Sequence, residues 1–315
     1  MHKPNLEIDH AVYEPNHIST VLAEITAHFP GYFEFFSKPV PKELSISIPS
    51  DSPFRITHSK YKKSSAPQLL TKNFTDAIAS FENEHEKYKS FFDIDALMEY
   101  EIDPNSFKGN LRRECPIIRR CLNSPEREME RYKAHFQQKP GEELWRVTTN
   151  IIKFGISFNK QFDTNKHESI TTVPDLGLAE LLLDDYISYQ VIGGGIKSHF
   201  LYSLYPYAFA NRSQNALWAL YFLSGKGSFG LKDDSEFLMI DTENGTTQQN
   251  YHYPYDLFAY YALKVYLMLK QSCTKLNVFL EPRYRYIYLD SFLASITSHH
   301  ENDITTLKRA ADYAE

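Results

Sequence analysis

Near the middle of the chain, Leu217, Trp218, Leu220, Tyr221 and Leu223 give a helix nearly all-round apolar cover. A helix apolar on every side has to be buried. A chain that contains one must therefore surround it with other elements, and Asn211–Arg212–Ser213 just ahead of the run supplies its capping residues. At 315 residues, 42% of them apolar and 15% aromatic, the chain can bury such a helix without disulfides or metals. The cysteines, Cys115, Cys121 and Cys273, are odd in number and never spaced as CxxC, which argues against a disulfide scaffold and a cysteine-ligated zinc site.

The surrounding segments are mostly helical in pattern. Val21, Leu22, Ile25 and Phe29 follow helical spacing until Pro30–Gly31, which reads as a stop. Residues 71–138 are helical with a break at Asp103–Pro104 and a new start at Ser124–Pro125–Glu126. Further helices are expected from Asp175 through Tyr189, from Ile196 to Tyr205 and from Tyr255 to Lys270, while 144–158 and 276–290 fit helix or strand. Leu44 to Ile48 alternates as a short strand among prolines. Asn244–Gly245 is a strong hairpin signal between two strand-like runs. The expectation is a mainly α, multi-helix globular protein with a small antiparallel β hairpin at about 236–253. Lys139–Pro140–Gly141 divides it into an N-terminal mostly helical region, 1–140, and a C-terminal helical core with the hairpin, 141–315.

The first residues lack the apolar h-region of a secretory signal, and no stretch approaches the ~20 apolar residues of a membrane-spanning helix. The expectation is a cytoplasmic protein with no membrane partner. Net charge is −6, but it is unevenly spread. Residues 108–133 hold eight basic against four acidic side chains; 151–250 hold seven against eleven. Arg112/Arg113 and Arg119/Arg120 are seven positions apart, so one helix would present them as a single cationic stripe, continued by Arg127 and Arg131. Such a stripe suits a polyanion, and Arg283–Tyr284–Arg285–Tyr286 would add a stacking platform for bases. The leading expectation is an accessory module that binds nucleic acid, or a larger protein partner, through this basic flank. Its placement in genome maintenance or antiviral defence against mobile DNA follows the habit of motif-poor intracellular proteins, not any residue here.

Two other readings compete. Asp233, Asp234, Glu236 and Asp241 would gather around Mg²⁺ in a metal-dependent phosphodiesterase, with His252 as general base. Against this, Glu236 and Asp241 face opposite sides of a flat strand, and a solvated turn explains the acids as well. A purely protein-interaction subunit needs no site chemistry at all. No resident metal is expected otherwise: His85–Glu86–Lys87–Tyr88–Lys89 has Lys89 where a zinc motif needs its second histidine, and His299–His300–Glu301 reads as a polar loop.

One further motif concerns anions. Gly193–Gly194–Gly195–Ile196–Lys197–Ser198 opens a helix, and the amides of Gly194 and Gly195 with Lys197 and Ser198 would hold a phosphate. It is not a P-loop, because Ile196 intervenes before the lysine. A hinge or close helix packing is the plainer account. Arg212, at a helix start where a cation opposes the dipole, either pairs with Asp184, Asp185 or Glu236 or binds an anion.

Overall fold

The computed structural model describes residues 10–38, 65–126, 129–227, 229, 236–241 and 246–309. Its helices are α1 (Pro15–Ser37), α2 (Ala66–Phe91), α3 (Ile94–Glu99), α4 (Pro104–Glu114), α5 (Pro116–Asn123) and α6 (Met129–Gln138). They continue as α7 (Gly141–Lys160), α8 (Thr164–Glu168), α9 (Gly194–Leu204), α10 (Gln214–Leu223), α11 (Tyr255–Lys275), α12 (Arg285–His299) and α13 (Glu301–Arg309). Among the described residues no helix is long and apolar enough to cross a membrane.

α10 is the buried helix the sequence required. Ala216 to Leu220, Phe222 and Leu223 are all buried, and the Ser213 side chain caps the helix by accepting the Ala216 N–H at 3.1 Å. Each fully buried Leu or Phe there contributes roughly 1.5–3 kcal/mol. α1 and α12 pack on α10, and α12 in turn contacts α2 and α11. On the other side, α7 packs against α3, α4 and α9. One buried cluster runs through both groups, from Phe29 and Phe74 to Leu111, Ile151 and Phe292. The region 144–158, ambiguous by pattern, lies inside α7, and 285–290 opens α12.

Three expectations about local structure are corrected. Pro30 does not end the first helix; α1 runs through it to Ser37. The helix survives the missing N–H because the turn beyond is anchored: the Phe36 ring lies 5.7 Å from Phe74 and 5.5 Å from Phe292, and Phe29 lies 5.3 Å from Phe292. The strong helix expected from Asp175 is instead three short 3-10 turns, Pro174–Leu176, Ala179–Leu182 and Asp184–Tyr186. Gly177, at φ 68°, breaks the first from the second.

The third correction is to the fold class. The interpretable part of the chain is 75% helical, and the small β hairpin expected at 236–253 is not a component of it. Between Leu238 and Gln249 there is only a four-residue backbone ladder, Leu238–Asp241 against Thr246–Gln249. It belongs to no larger sheet, and two short strands by themselves are marginal in water. The segment is held by Phe237 and Tyr253 on either side of the ladder and Leu238 at its start, all of them buried. The strand expected at 44–48 lies outside the described residues.

Candidate functional site

The arginines of the basic flank sit on separate elements. The residue before a proline is disfavoured in the helical region, and Cys115, ahead of Pro116, is extended at ψ 113°. That break ends α4 and starts α5, so the one-helix stripe is corrected: Arg112 and Arg113 lie in the last turn of α4 while Arg119 and Arg120 lie on α5. Arg131 lies on α6, and the placement of Arg127 is outside the described residues. Arg112, Arg113, Arg119, Arg120 and Arg131 are all exposed. Arg120 meets Glu84 of α2 with both carboxylate oxygens at 2.7 Å, and Arg113 donates to the Asn110 side chain. No described carboxylate forms an ion pair with Arg112, Arg119 or Arg131. The stacking platform does not form: Arg285 and Tyr286 are buried, Arg285 being bound to Glu168.

The acids of the nuclease reading fare differently from one another. Asp233 and Asp234, and the side chain of Asp241, lie outside the described residues. Glu236 is fully buried and committed: His17 Nε2 lies 2.6 Å from one carboxylate oxygen and the Tyr253 hydroxyl donates to the other. His252 is exposed, its backbone N–H donating to the Asn250 side chain. Among the described residues no three His, Cys, Asp or Glu side chains group as metal ligands would.

The residues of the anion motif do come together. Gly193 is the N-cap of α9 and offers no side chain to the helix start, so no described group accepts the N–H of Gly194, Gly195 or Ile196. The loop from Tyr205 to Ser213 folds back onto this first turn. There the Arg212 N–H donates to Ser198 Oγ at 3.0 Å, and that hydroxyl donates to the Gly195 carbonyl at 2.9 Å. Ser198 is thus a strap that places Arg212 rather than a ligand group. The Arg212 guanidinium lies against Gly194 so closely that a Cβ there would sit 2.8 Å from Nη1. Its Nη2 donates to the Asn250 carbonyl at 2.7 Å, while its Nε, also buried, has no partner.

None of the acids expected to pair with Arg212 does so. Asp184 accepts from Tyr189, Asp185 binds Arg146 at 2.9 Å, and Glu236 is held by Tyr253 and His17. Lys197, 2% exposed, donates to the Leu181 carbonyl and forms no described ion pair. Burial pushes Arg212 down to about 10; burial, with Arg212 nearby adding repulsion, pushes Lys197 down to about 8.

A second polar assembly escaped the sequence reading. A cleft of about 290 Å³ between α2, α9 and α12 is lined by Glu84, Tyr88, His199, Asn211 and Asp290, among others. The Tyr88 hydroxyl and His199 Nε2 are 2.9 Å apart, and Asn211 Nδ2 donates to Asp290 at 2.9 Å. Burial holds His199 down at about 4 and Asp290 up at about 6. Tyr88 and His199 are 111 positions apart in the chain and Asn211 and Asp290 79 apart, and the only local signal was Asn211 beside a helix cap. Arg120, tied to Glu84 at the mouth, links this cleft to the basic flank.

No family model matches this chain, and no curated protein or solved structure matches it either. The fold and sites define it only as a multi-helix protein with an exposed arginine flank and a cation-lined helix start.

Proposed function

We propose that the protein binds nucleic acid through the arginines exposed on α4, α5 and α6. The observation that carries this reading is that Arg112, Arg119 and Arg131 stand in solvent with no described carboxylate paired to them. Elsewhere on the same flank, Arg120, Lys133 and Lys139 are paired, to Glu84, Glu130 and Glu143. Unpaired guanidinium groups on a surface are free to displace counterions from a phosphate backbone. Their planar donor fork suits phosphate oxygens better than an ammonium does. Three elements carry them, so the contact follows a backbone rather than reading bases from one inserted helix.

The test is anisotropy of a labelled duplex and a labelled single strand over a salt series. Binding is expected to weaken steeply with salt, and Arg112→Gln, Arg119→Gln and Arg131→Gln are each expected to reduce the salt slope by about 1. A triple variant that is folded and still binds with the parental slope would overturn the reading. So would a wild type that binds no nucleic acid at low salt.

A further inference from the structure

We infer that the N-terminus of α9 is a binding site for a phosphate group, with Arg212 as its buried cationic partner and Lys197 as a supporting charge. Three observations converge on it. The first turn of α9 presents the N–H groups of Gly194, Gly195 and Ile196 with no described acceptor, and these residues are partly exposed. A helix start carries partial positive charge and suits an oxyanion. Arg212 is 97% withdrawn from solvent, by its 3% exposure, yet its Nε is unpartnered and no described carboxylate pairs with it. Its guanidinium is aimed at Gly194, the first residue of the helix.

The third observation is a charge imbalance. Burying a cation without a counterion is costly, and here two buried cations, Arg212 and Lys197, have no described carboxylate partner. Arg285, whose buried Nε is likewise unpartnered, differs in having a carboxylate: it is paired with Glu168 at 3.0 Å. Glu236, one of the acids expected to pair with Arg212, is linked to Tyr253 and His17 instead. What the Arg212 neighbourhood lacks is a negative charge, and a phosphate against the α9 amides would supply it. The absence of a side chain at Gly194 is what allows the guanidinium to lie beside those amides, since a Cβ would meet Arg212 Cζ at 3.2 Å. The site shares no residue with the α4–α6 flank and stands whether or not that flank binds nucleic acid.

The experiment is a titration of the full chain with inorganic phosphate, and separately with ribose 5-phosphate, against chloride at constant ionic strength. The readouts are the thermal midpoint and the ¹⁵N–¹H resonance of Arg212 Nε. Saturable stabilisation by phosphate, with the Arg212 Nε–H signal shifting at the same half-point, is the expected result. Arg212→Met should weaken phosphate binding by roughly tenfold or more, because it removes a charge-assisted hydrogen-bond donor. Lys197→Met should weaken it less, and Arg112→Gln should leave it unchanged. Tighter binding of ribose 5-phosphate assigns the ligand as a phosphate ester; equal or weaker binding assigns free phosphate. No saturable response, a response that leaves the Arg212 Nε–H signal unmoved, or an undiminished response in a folded Arg212→Met protein would overturn the proposal. If that variant does not fold, the Nε–H titration of the wild type decides alone.

Discussion

At the scale of single residues, the molecule is governed by polar groups taken out of water. Most find a partner: His167 Nε2 lies 2.8 Å from the buried Tyr286 hydroxyl, and His199 lies beside Tyr88. Burial keeps both histidines neutral, at about 3 for His167 and about 4 for His199. The unfolded chain, with histidine near its usual 6.5, therefore binds more protons between those values and 6.5. Their contribution to stability is present above 6.5 and is lost as pH falls through that window. Asp290 acts in the opposite sense. Held up at about 6, it is protonated in the folded state over a range where the unfolded chain has lost its proton, so it favours the fold as pH falls from 6. The denaturation midpoint is expected to drop between pH 6.5 and 4, and Asp290→Asn to steepen that drop by removing the opposing slope. Urea titrations of both proteins over that range check it; equal slopes would show that Asp290 is ionised in the fold.

At the scale of elements, proline and glycine act according to what packs around them. Pro116 starts a new helix because the residue before it is forced extended, whereas Pro30 is carried inside α1 by aromatic contacts on either side of it. Gly141 marks a different constraint. It opens α7 where that helix abuts the start of α4, and an added Cβ would stand 2.8 Å from the Pro104 carbonyl carbon and 2.9 Å from Asn105 Oδ1. Backbone cannot swing aside as a side-chain tip can. Gly141→Ala is therefore expected to destabilise the protein by about 1–3 kcal/mol, read as a lower urea midpoint at unchanged m-value. A midpoint equal to wild type would mean that α4 and α7 are free to separate there.

At the scale of the whole molecule, Glu168 joins three elements. From the end of α8 it binds Lys270 of α11 at 2.5 Å and the fully buried Arg285 of α12 at 3.0 Å. The Arg285 guanidinium also lies over the Phe162 and Tyr266 rings at 5.8 and 5.4 Å. Removing one partner of a buried pair leaves the other charge stranded, at about 3–5 kcal/mol. Glu168→Ala should lose stability of that order in equilibrium unfolding, whereas Lys270→Ala, whose side chain is 37% exposed, should cost about 1 kcal/mol or less. Equal losses from the two would show that the pair is not the link between α8 and α12.

What the amino-acid order determined by itself is local and periodic. The all-apolar run 217–223 demanded a buried helix, Ser213 could be read as its cap, and the surrounding apolar spacing demanded a mostly helical shell. The glycines, Lys197 and Ser198 were visible as the opening of a helix because all five lie in a short stretch, but that Ser198 bonds the Arg212 N–H and that the guanidinium lies against Gly194 was not. Tertiary structure alone decided which charges were compensated. Arg212 lies near three acids in pattern but pairs with none, Arg120 finds Glu84 from another helix, and Asp290 meets Asn211 across 79 positions. Burial and charge pairing depend on which surfaces meet once the helices pack, and distance along the chain carries almost none of that information.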